Sequence, residues 1–138
     1  MDNKRRTLLK FLAAAPVVAC SSNSGAPASF GDVAAGNASA TSVGTIAVVP
    51  NAPALLARDE RGLYAMTITC THEGCDVTPQ GGTLFCPCHG SRFDNEGKVL
   101  QGPAGSPLVH FAVSIDAAGN VTVHGAQQVD ASIRTQVG

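Results

Sequence analysis

From residue 45 onward, short apolar runs alternate with turn-forming clusters at the period of strands rather than helices. Runs at 45–49, 54–58 and 63–69 are the first predicted strands, the last of them following a turn at Glu60-Arg61-Gly62. Runs at 108–115 and 120–124 form a hairpin around Asp116-Ala117-Ala118-Gly119. In the first of these two strands Val109, Phe111, Val113 and Ile115 make one wholly apolar face, opposite Leu108, His110, Ala112 and Ser114. Val121 and Val123 alternate in the same way with Thr122 and His124. His110 and His124 therefore fall off the apolar faces, with no Cys, carboxylate or second His at ligand spacing, and both are expected at the surface. No long amphipathic helix is visible, so the expected fold class is all-β, a small domain of antiparallel sheets.

The residues before this pattern are of another kind. Lys4-Arg5-Arg6 precedes an apolar run over 8–19 that only Lys10 interrupts, and residues 1–19 read as an export signal. The run is shorter than the ~20 residues a bilayer span needs, and Pro16 would break a helix within it. The paired arginines resemble a twin-arginine signal, although Lys4 and Leu8 stand where that pattern usually has Ser or Thr and Phe. Val17-Val18-Ala19-Cys20 resembles a bacterial lipobox, which implies that Cys20 is lipid-modified and anchors the chain to a membrane. Residues 20–43 are rich in Ser, Gly, Ala, Asn and Pro and read as a flexible tether spanning roughly 25 Å on average. Within it, residues 30–34 can pack as an edge strand. The folded domain is expected at 44–126, with a C-terminal tail at 127–138.

Composition agrees with one loop-rich β domain: 138 residues, 44% of them hydrophobic and 14% charged, with fifteen Gly, eight Pro and no Trp. Setting aside Asp2, Lys4, Arg5, Arg6 and Lys10 leaves five basic and nine acidic residues, a formal charge of about −4. Such a surface lacks the basic footprint of a nucleic-acid binder. Four of the acids, Glu73, Asp76, Asp94 and Glu96, lie around the segment that carries the chemistry.

That segment holds two boxes, Cys70-Thr71-His72-Glu73-Gly74-Cys75 and Cys86-Pro87-Cys88-His89-Gly90-Ser91. Each offers one thiolate and one imidazole close together, Cys70 with His72 and Cys86 with His89, so each can grip a metal as a two-toothed clamp. Thirteen residues separate His72 from Cys86, among them Pro79, Gln80, Gly81, Gly82 and a short apolar strand, so a hairpin can bring both clamps to one tip. A tetrahedral zinc ion could use these same four ligands, although zinc gives Cys75 and Cys88 no task. Those two would face each other if the loops lay side by side. A disulfide there would suit an exported protein and contribute roughly 3 kcal/mol in the loop-entropy model.

The two boxes, in this order, resemble the Rieske iron–sulfur proteins, over about residues 44–124. The resemblance implies one [2Fe–2S] cluster with one iron held by Cys70 and Cys86 and the other by His72 and His89. It implies a cluster-binding subdomain at about 68–107, inserted between strands of a base. It also implies that Ser91 donates its hydroxyl to a bridging sulfide and favours the reduced state. Phe93 stands where high-potential members have a Tyr whose hydroxyl bonds a ligand sulfur, so one hydrogen bond is missing and the potential should fall. Glu73 occupies a position that is usually Leu in quinol-oxidising relatives, and its charge works in the same direction. Residues 102–108 resemble the family's proline loop, expected to shield the cluster.

The function so implied is that of an exported, membrane-tethered electron carrier with no turnover of its own. It would be the iron–sulfur subunit of a quinol–cytochrome c reductase-type complex or a free-standing relative, with cytochrome c or a quinol-oxidising complex as redox partner and quinol as a candidate donor. The alternative is the Rieske small subunit of a periplasmic oxidase similar to arsenite oxidases. A Rieske ferredoxin serving an oxygenase fits less well, because those ferredoxins generally lack the extra cysteine pair and are cytosolic. A zinc-binding structural module would be colourless.

Overall fold

The computed structural model describes residues 29–138, whose ten strands form two antiparallel sheets. The strands are β1 (Asp32–Asn37), β2 (Ile46–Val48), β3 (Ala54–Asp59), β4 (Gly62–Thr67), β5 (Thr78–Gln80), β6 (Thr83–Phe85), β7 (Arg92–Phe93), β8 (Val99–Gln101), β9 (His110–Ile115) and β10 (Asn120–Val129). The larger sheet has the order β1-β10-β9-β4-β3-β2, and the smaller the order β5-β6-β7-β8. The smaller sheet lies wholly between β4 and β9 in the chain, so the fold is all-β with an inserted subdomain, as the sequence led us to expect. β4 and β9 pair directly, Ala65 with Phe111 and Met66 with His110, which closes the base beneath the insert. The expected export signal (1–19), the lipidation site Cys20 and residues 20–28 of the tether lie outside the described residues.

Sequence alternation decides which side chains point into which of two cores. Ala54, Leu56, Leu63, Ala65, Phe111, Val121 and Val123 share one core on the outer side of the base. Leu55, Ala57, Tyr64 and Met66 point the other way and meet Val77, Leu84, Phe93, Ala104 and Leu108 of the insert. β4 is therefore buried along its whole length, and it reads in sequence as a continuous run rather than an alternating one. Each large side chain so buried contributes about 1.5–3 kcal/mol relative to leaving it exposed.

Covering the second face also explains a departure from expectation. His110 is 2% exposed rather than on the surface. The face it shares with Leu108 is roofed by the insert, so its ring stacks on Tyr64 at 5.7 Å and its Nε2 donates to the Glu96 carbonyl at 2.7 Å. His124 points away from the apolar core, as the alternation predicts, but its side chain is only 21% exposed.

The base also takes in residues that the sequence suggested were peripheral. The edge strand expected at 30–34 within the tether is present as β1, which runs on to Asn37 and pairs with β10, Asp32 opposite His124 and Val33 opposite Val123. Phe30 precedes it, edge-to-face with Phe111 at 5.0 Å and over Gly125, where a Cβ would collide with its ring. At the other end, the segment read as a tail continues β10 to Val129 and then returns: Leu63 and Thr135 exchange two backbone hydrogen bonds of 2.8 Å. Gly62 permits this approach, because a side chain there would strike the Thr135 backbone.

Candidate metal centre

Two loops built on one backbone plan leave the ends of β4 and β6. In the first, Cys70 N–H donates to the Cys75 carbonyl at 2.7 Å and Gly74 N–H to the Cys70 carbonyl at 3.1 Å. In the second, Cys86 N–H donates to the Ser91 carbonyl at 2.8 Å and Gly90 N–H to the Cys86 carbonyl at 3.0 Å. Both turns need a left-handed residue at the fifth place of the box, and Gly74 (φ +76°) and Gly90 (φ +79°) supply it. The first place of each box points inward, so Cys70 and Cys86 are both buried. The histidines turn outward and meet edge-on, with ring centroids 5.0 Å apart. Cys75 and Cys88 form a disulfide across the two loops.

The two loops thus place Cys70 beside Cys86 on the inner side and His72 beside His89 on the outer side, with Glu73 within 4.8 Å of both imidazoles. Cys70 and Cys86 remain free thiols although a disulfide forms beside them, and Nδ1 of His72 is buried without a hydrogen-bond partner. An orphaned polar nitrogen and two thiols in a protein interior are costly unless something occupies the space between them. Burial pushes the Cys70 thiol above its ordinary range; the His72 N–H and Ser91 hydroxyl oppose that shift, while Cys86 adds to it. A bound metal reverses the balance, since it holds cysteine as thiolate. The donor set of two sulfurs and two imidazole nitrogens fits a [2Fe–2S] cluster of the mixed Cys/His type.

The neighbours predicted to tune the site are distributed as follows. Ser91 is fully buried, and its Oγ accepts the Ala104 N–H at 3.0 Å, which leaves the hydroxyl proton free to point toward the Cys70 side. Phe93 is fully buried in the core between insert and base. Glu73 lies between the two loops, with its carboxylate 3.4 Å from Nδ1 of His89 and within 4.8 Å of a ring nitrogen of His72 as well. Both partners are about half exposed, so this pair is weak. Of the other acids, Asp76 pairs with Thr69 at the edge of the first loop. Asp94 and Glu96 belong to the β7–β8 turn: Asp94 caps it, and Glu96 is bound by Arg61 and Arg134.

Residues 102–108 cover the site and are tied down at three points. Thr71 Oγ1 donates to the Ser106 carbonyl at 2.7 Å, Ala104 N–H to Ser91, and Leu108 N–H to the Gly97 carbonyl at 2.8 Å. Thr71 was not singled out in the sequence, although its place between two ligands is a signal in itself. An open groove of about 570 Å³, lined by Arg58, Asp59, Arg61, Ser132 and Arg134, includes none of the four donors. The metal centre is a surface tip rather than a cavity.

One further constellation was not expected. His124 Nδ1 lies 2.8 Å from Asp32 Oδ1, and its Nε2 lies 2.7 Å from Ser114 Oγ, the hydrogen-bond order of a hydrolase triad. The three sit on adjacent strands β1, β10 and β9, with Asp32 directly opposite His124. They staple the edge strand β1 to its neighbours.

Comparison with known proteins follows this geometry. The Rieske [2Fe-2S] domain model matches residues 30–113. The chain is 40% identical over 79 residues to the cytochrome b6-f complex iron-sulfur subunit of Synechococcus sp. (strain WH7803), covering 56% of this chain and 43% of that protein. It is 50% identical over 58 residues to the subunit of the same name from Trichodesmium erythraeum (strain IMS101), covering 38% and 32%. The chain thus spans less than half the length of these curated relatives. Among solved structures it is similar to the complex of reduced oxygenase and oxidized ferredoxin in carbazole 1,9a-dioxygenase, at TM-score 0.53 and 30% identity, covering 72% of this chain and 97% of that one. The cyanobacterial plasma membrane Rieske protein from Synechocystis PCC 6803 gives the same TM-score and identity, covering 66% and 97%.

Proposed function

This chain belongs to the Rieske [2Fe-2S] domain family, and on that premise we propose that it is an exported, membrane-tethered one-electron carrier. Its place would be as the iron–sulfur subunit of a quinol–cytochrome c reductase-type complex or as a free-standing relative. The observation that carries the reading is the division of the four donors: two buried thiols inside, two imidazoles at an outward tip, on loops locked by a disulfide. A bound [2Fe–2S] cluster with two imidazole ligands supplies one-electron exchange in a range of about −150 to +300 mV.

The chain's own residues set the conditions of that exchange. Cys70, Cys86, His72 and His89 hold the group, and His89, with 45% of its side chain exposed, is what an approaching partner meets. The 102–108 loop and the disulfide keep water from the inner side. Ser91 offers a proton toward the sulfur ligands, Phe93 has no hydroxyl to add, and Glu73 puts a negative charge beside His89.

Export is supported by the disulfide, which persists outside reducing compartments, together with the signal-like residues 1–19 and the lipobox ending at Cys20. The partners in this reading are a cytochrome c or a quinol-oxidising complex. Purifying the native assembly from membranes tests it. Co-purification with a cytochrome b supports the reading, and a molybdenum-containing subunit with no cytochrome b would overturn it. The likeness to the oxygenase–ferredoxin complex favours a second reading, a ferredoxin feeding an oxygenase. That reading predicts a soluble protein with no lipid on Cys20.

A further inference from the structure

A column of side chains from the base grips the insert at one turn. Residues 94–98 join β7 to β8, and the turn is rigid in itself: Asp94 Oδ1 accepts from Glu96 N–H at 2.8 Å and Lys98 N–H at 2.9 Å, and Asp94 N–H donates to the Lys98 carbonyl at 2.9 Å. Four side chains outside the insert then fasten it, and the first is Arg61 of the β3–β4 turn, which donates Nη2–H to Glu96 Oε1 at 2.8 Å. Tyr64 of β4 donates its hydroxyl to the Asn95 carbonyl at 2.7 Å, and His110 of β9 donates Nε2–H to the Glu96 carbonyl at 2.7 Å. Arg134, from the C-terminal segment, donates Nη2–H to Glu96 Oε1 at 3.0 Å and Nε–H to Asp59 at 2.7 Å.

The three rings and forks also stack. The Arg134 guanidinium lies 3.9 Å from the Tyr64 ring centre, and Tyr64 lies nearly parallel to His110 at an interplanar angle of 11°. Only 4% of the Arg134 side chain is exposed, so its charge is held by Asp59 and Glu96 rather than by solvent.

The clamped turn has two outputs, and both lead to the metal centre. One is β7, which continues directly from Ser91. The other is the end of the covering loop, because Leu108 N–H donates to the Gly97 carbonyl at 2.8 Å. Gly97 leaves no slack there: a side chain would come within 2.9 Å of Leu108 and 3.2 Å of the Met66 sulfur. Ser91 and the covering loop are joined to each other through Ala104 N–H.

We propose that Arg134, acting with Tyr64 and His110 through the 94–98 turn, is a positioning residue for the metal centre that sets how firmly Ser91 and the 102–108 loop are held against it. The proposal rests on the chain holding its cluster, and it gives a redox role to a segment far outside the two boxes.

The test uses the full-length protein with its cluster and compares Arg134→Met, which keeps the stem over Tyr64 and removes the fork, with Arg134→Lys. Three quantities are read: iron content, hydrogen exchange at the Ala104 amide, and reduction potential. Arg134→Met should keep full iron, exchange about tenfold faster at Ala104, and titrate at a lower potential as the Ser91 hydroxyl loses its fixed aim. Arg134→Lys, which retains a cation for Glu96 and Asp59, should recover part of both changes. Wild-type exchange at Ala104 or an unchanged potential in Arg134→Met would overturn the proposal. Should that variant fail to fold or load, Glu96→Gln and Tyr64→Phe decide, since the first removes the charge that Arg61 and Arg134 share and the second removes the hydroxyl bond to Asn95, both with Arg134 in place. Wild-type exchange and potential in both would then overturn it, and smaller shifts in the same direction would support it. Wild-type protein that takes up no iron and shows no visible absorption would instead overturn the cluster assignment itself.

Discussion

At the scale of single residues, the cysteines fall into two classes that one experiment separates. Cys70→Ser or His89→Ala should abolish the visible cluster absorption, whereas Cys75→Ser should keep it in a more labile form, weakened by up to about 3 kcal/mol. Equal loss in both classes, followed by absorbance during anaerobic incubation, would contradict that division. Glu73→Gln should raise the reduction potential by no more than about 40 mV, equivalent to the ~1 kcal/mol ceiling of an exposed pair; an unchanged potentiometric titration would remove Glu73 from the tuning set. His110 makes stability depend on pH. Burial is the main cause of its lowered pKa, with the Glu96 carbonyl working against the shift. Above the unfolded value of 6.5 neither state binds the proton. As pH falls from there through the lowered folded value, the unfolded chain gains a proton that the folded one refuses, so stability drops. Thermal unfolding from pH 7.5 to 5 should show that fall, flattened in His110→Gln. The pairs Cys70–Cys86 and His72–His89 stood out in the sequence because metal chemistry favours a thiolate and an imidazole at short spacing, and the structure brings each pair together. The burial of His110 was not, because alternation tells which face a side chain takes and not whether another element covers that face.

At the scale of elements, the two cluster loops are one turn used twice, and the sequence shows it only in part. Cys at the first place and Gly at the fifth recur, but the histidine sits third in one box and fourth in the other. The equivalence emerges in the matched hydrogen bonds and the matched glycine angles. Gly74→Ala and Gly90→Ala should therefore each cost about 1–2 kcal/mol, the price of a Cβ in a left-handed residue. Calorimetry giving a large loss for one and none for the other would show that the loops are not equivalent. The strands of the base were legible from period and turn residues. β5 to β8 were less so, with two or three residues each and partners chosen by the metal loops rather than by their own pattern.

At the scale of the whole molecule, the boundaries drawn from composition were too tight at both ends. The start of β1 is legible as an edge strand at 30–34, but its continuation looks like linker until Asn37 meets Asn120 of β10, and the polar tail looks dispensable until Arg134 and Thr135 find β3, β4 and the insert. Contacts between residues seventy or more apart leave no local trace in a sequence. Ending the chain after Asp130 removes both Leu63–Thr135 hydrogen bonds and the Arg134 stack. It should lower stability by at least about 2 kcal/mol, taking roughly 1 kcal/mol for each backbone bond. Denaturant titration of the shortened protein checks this.

The staple between Cys75 and Cys88 also bears on how the molecule is made. Four thiols within nineteen residues can form six different single disulfides, and only the one between Cys75 and Cys88 leaves Cys70 and Cys86 both free. An empty chain meeting an oxidant can be trapped in any of the others, whereas a loaded chain has the thiolates of Cys70 and Cys86 already engaged. Maturation is therefore expected to run in a fixed order, iron first and oxidant second. Refolding the reduced chain with an oxidant, before or after iron and sulfide, should yield scrambled pairs in the first case and the single native pair in the second.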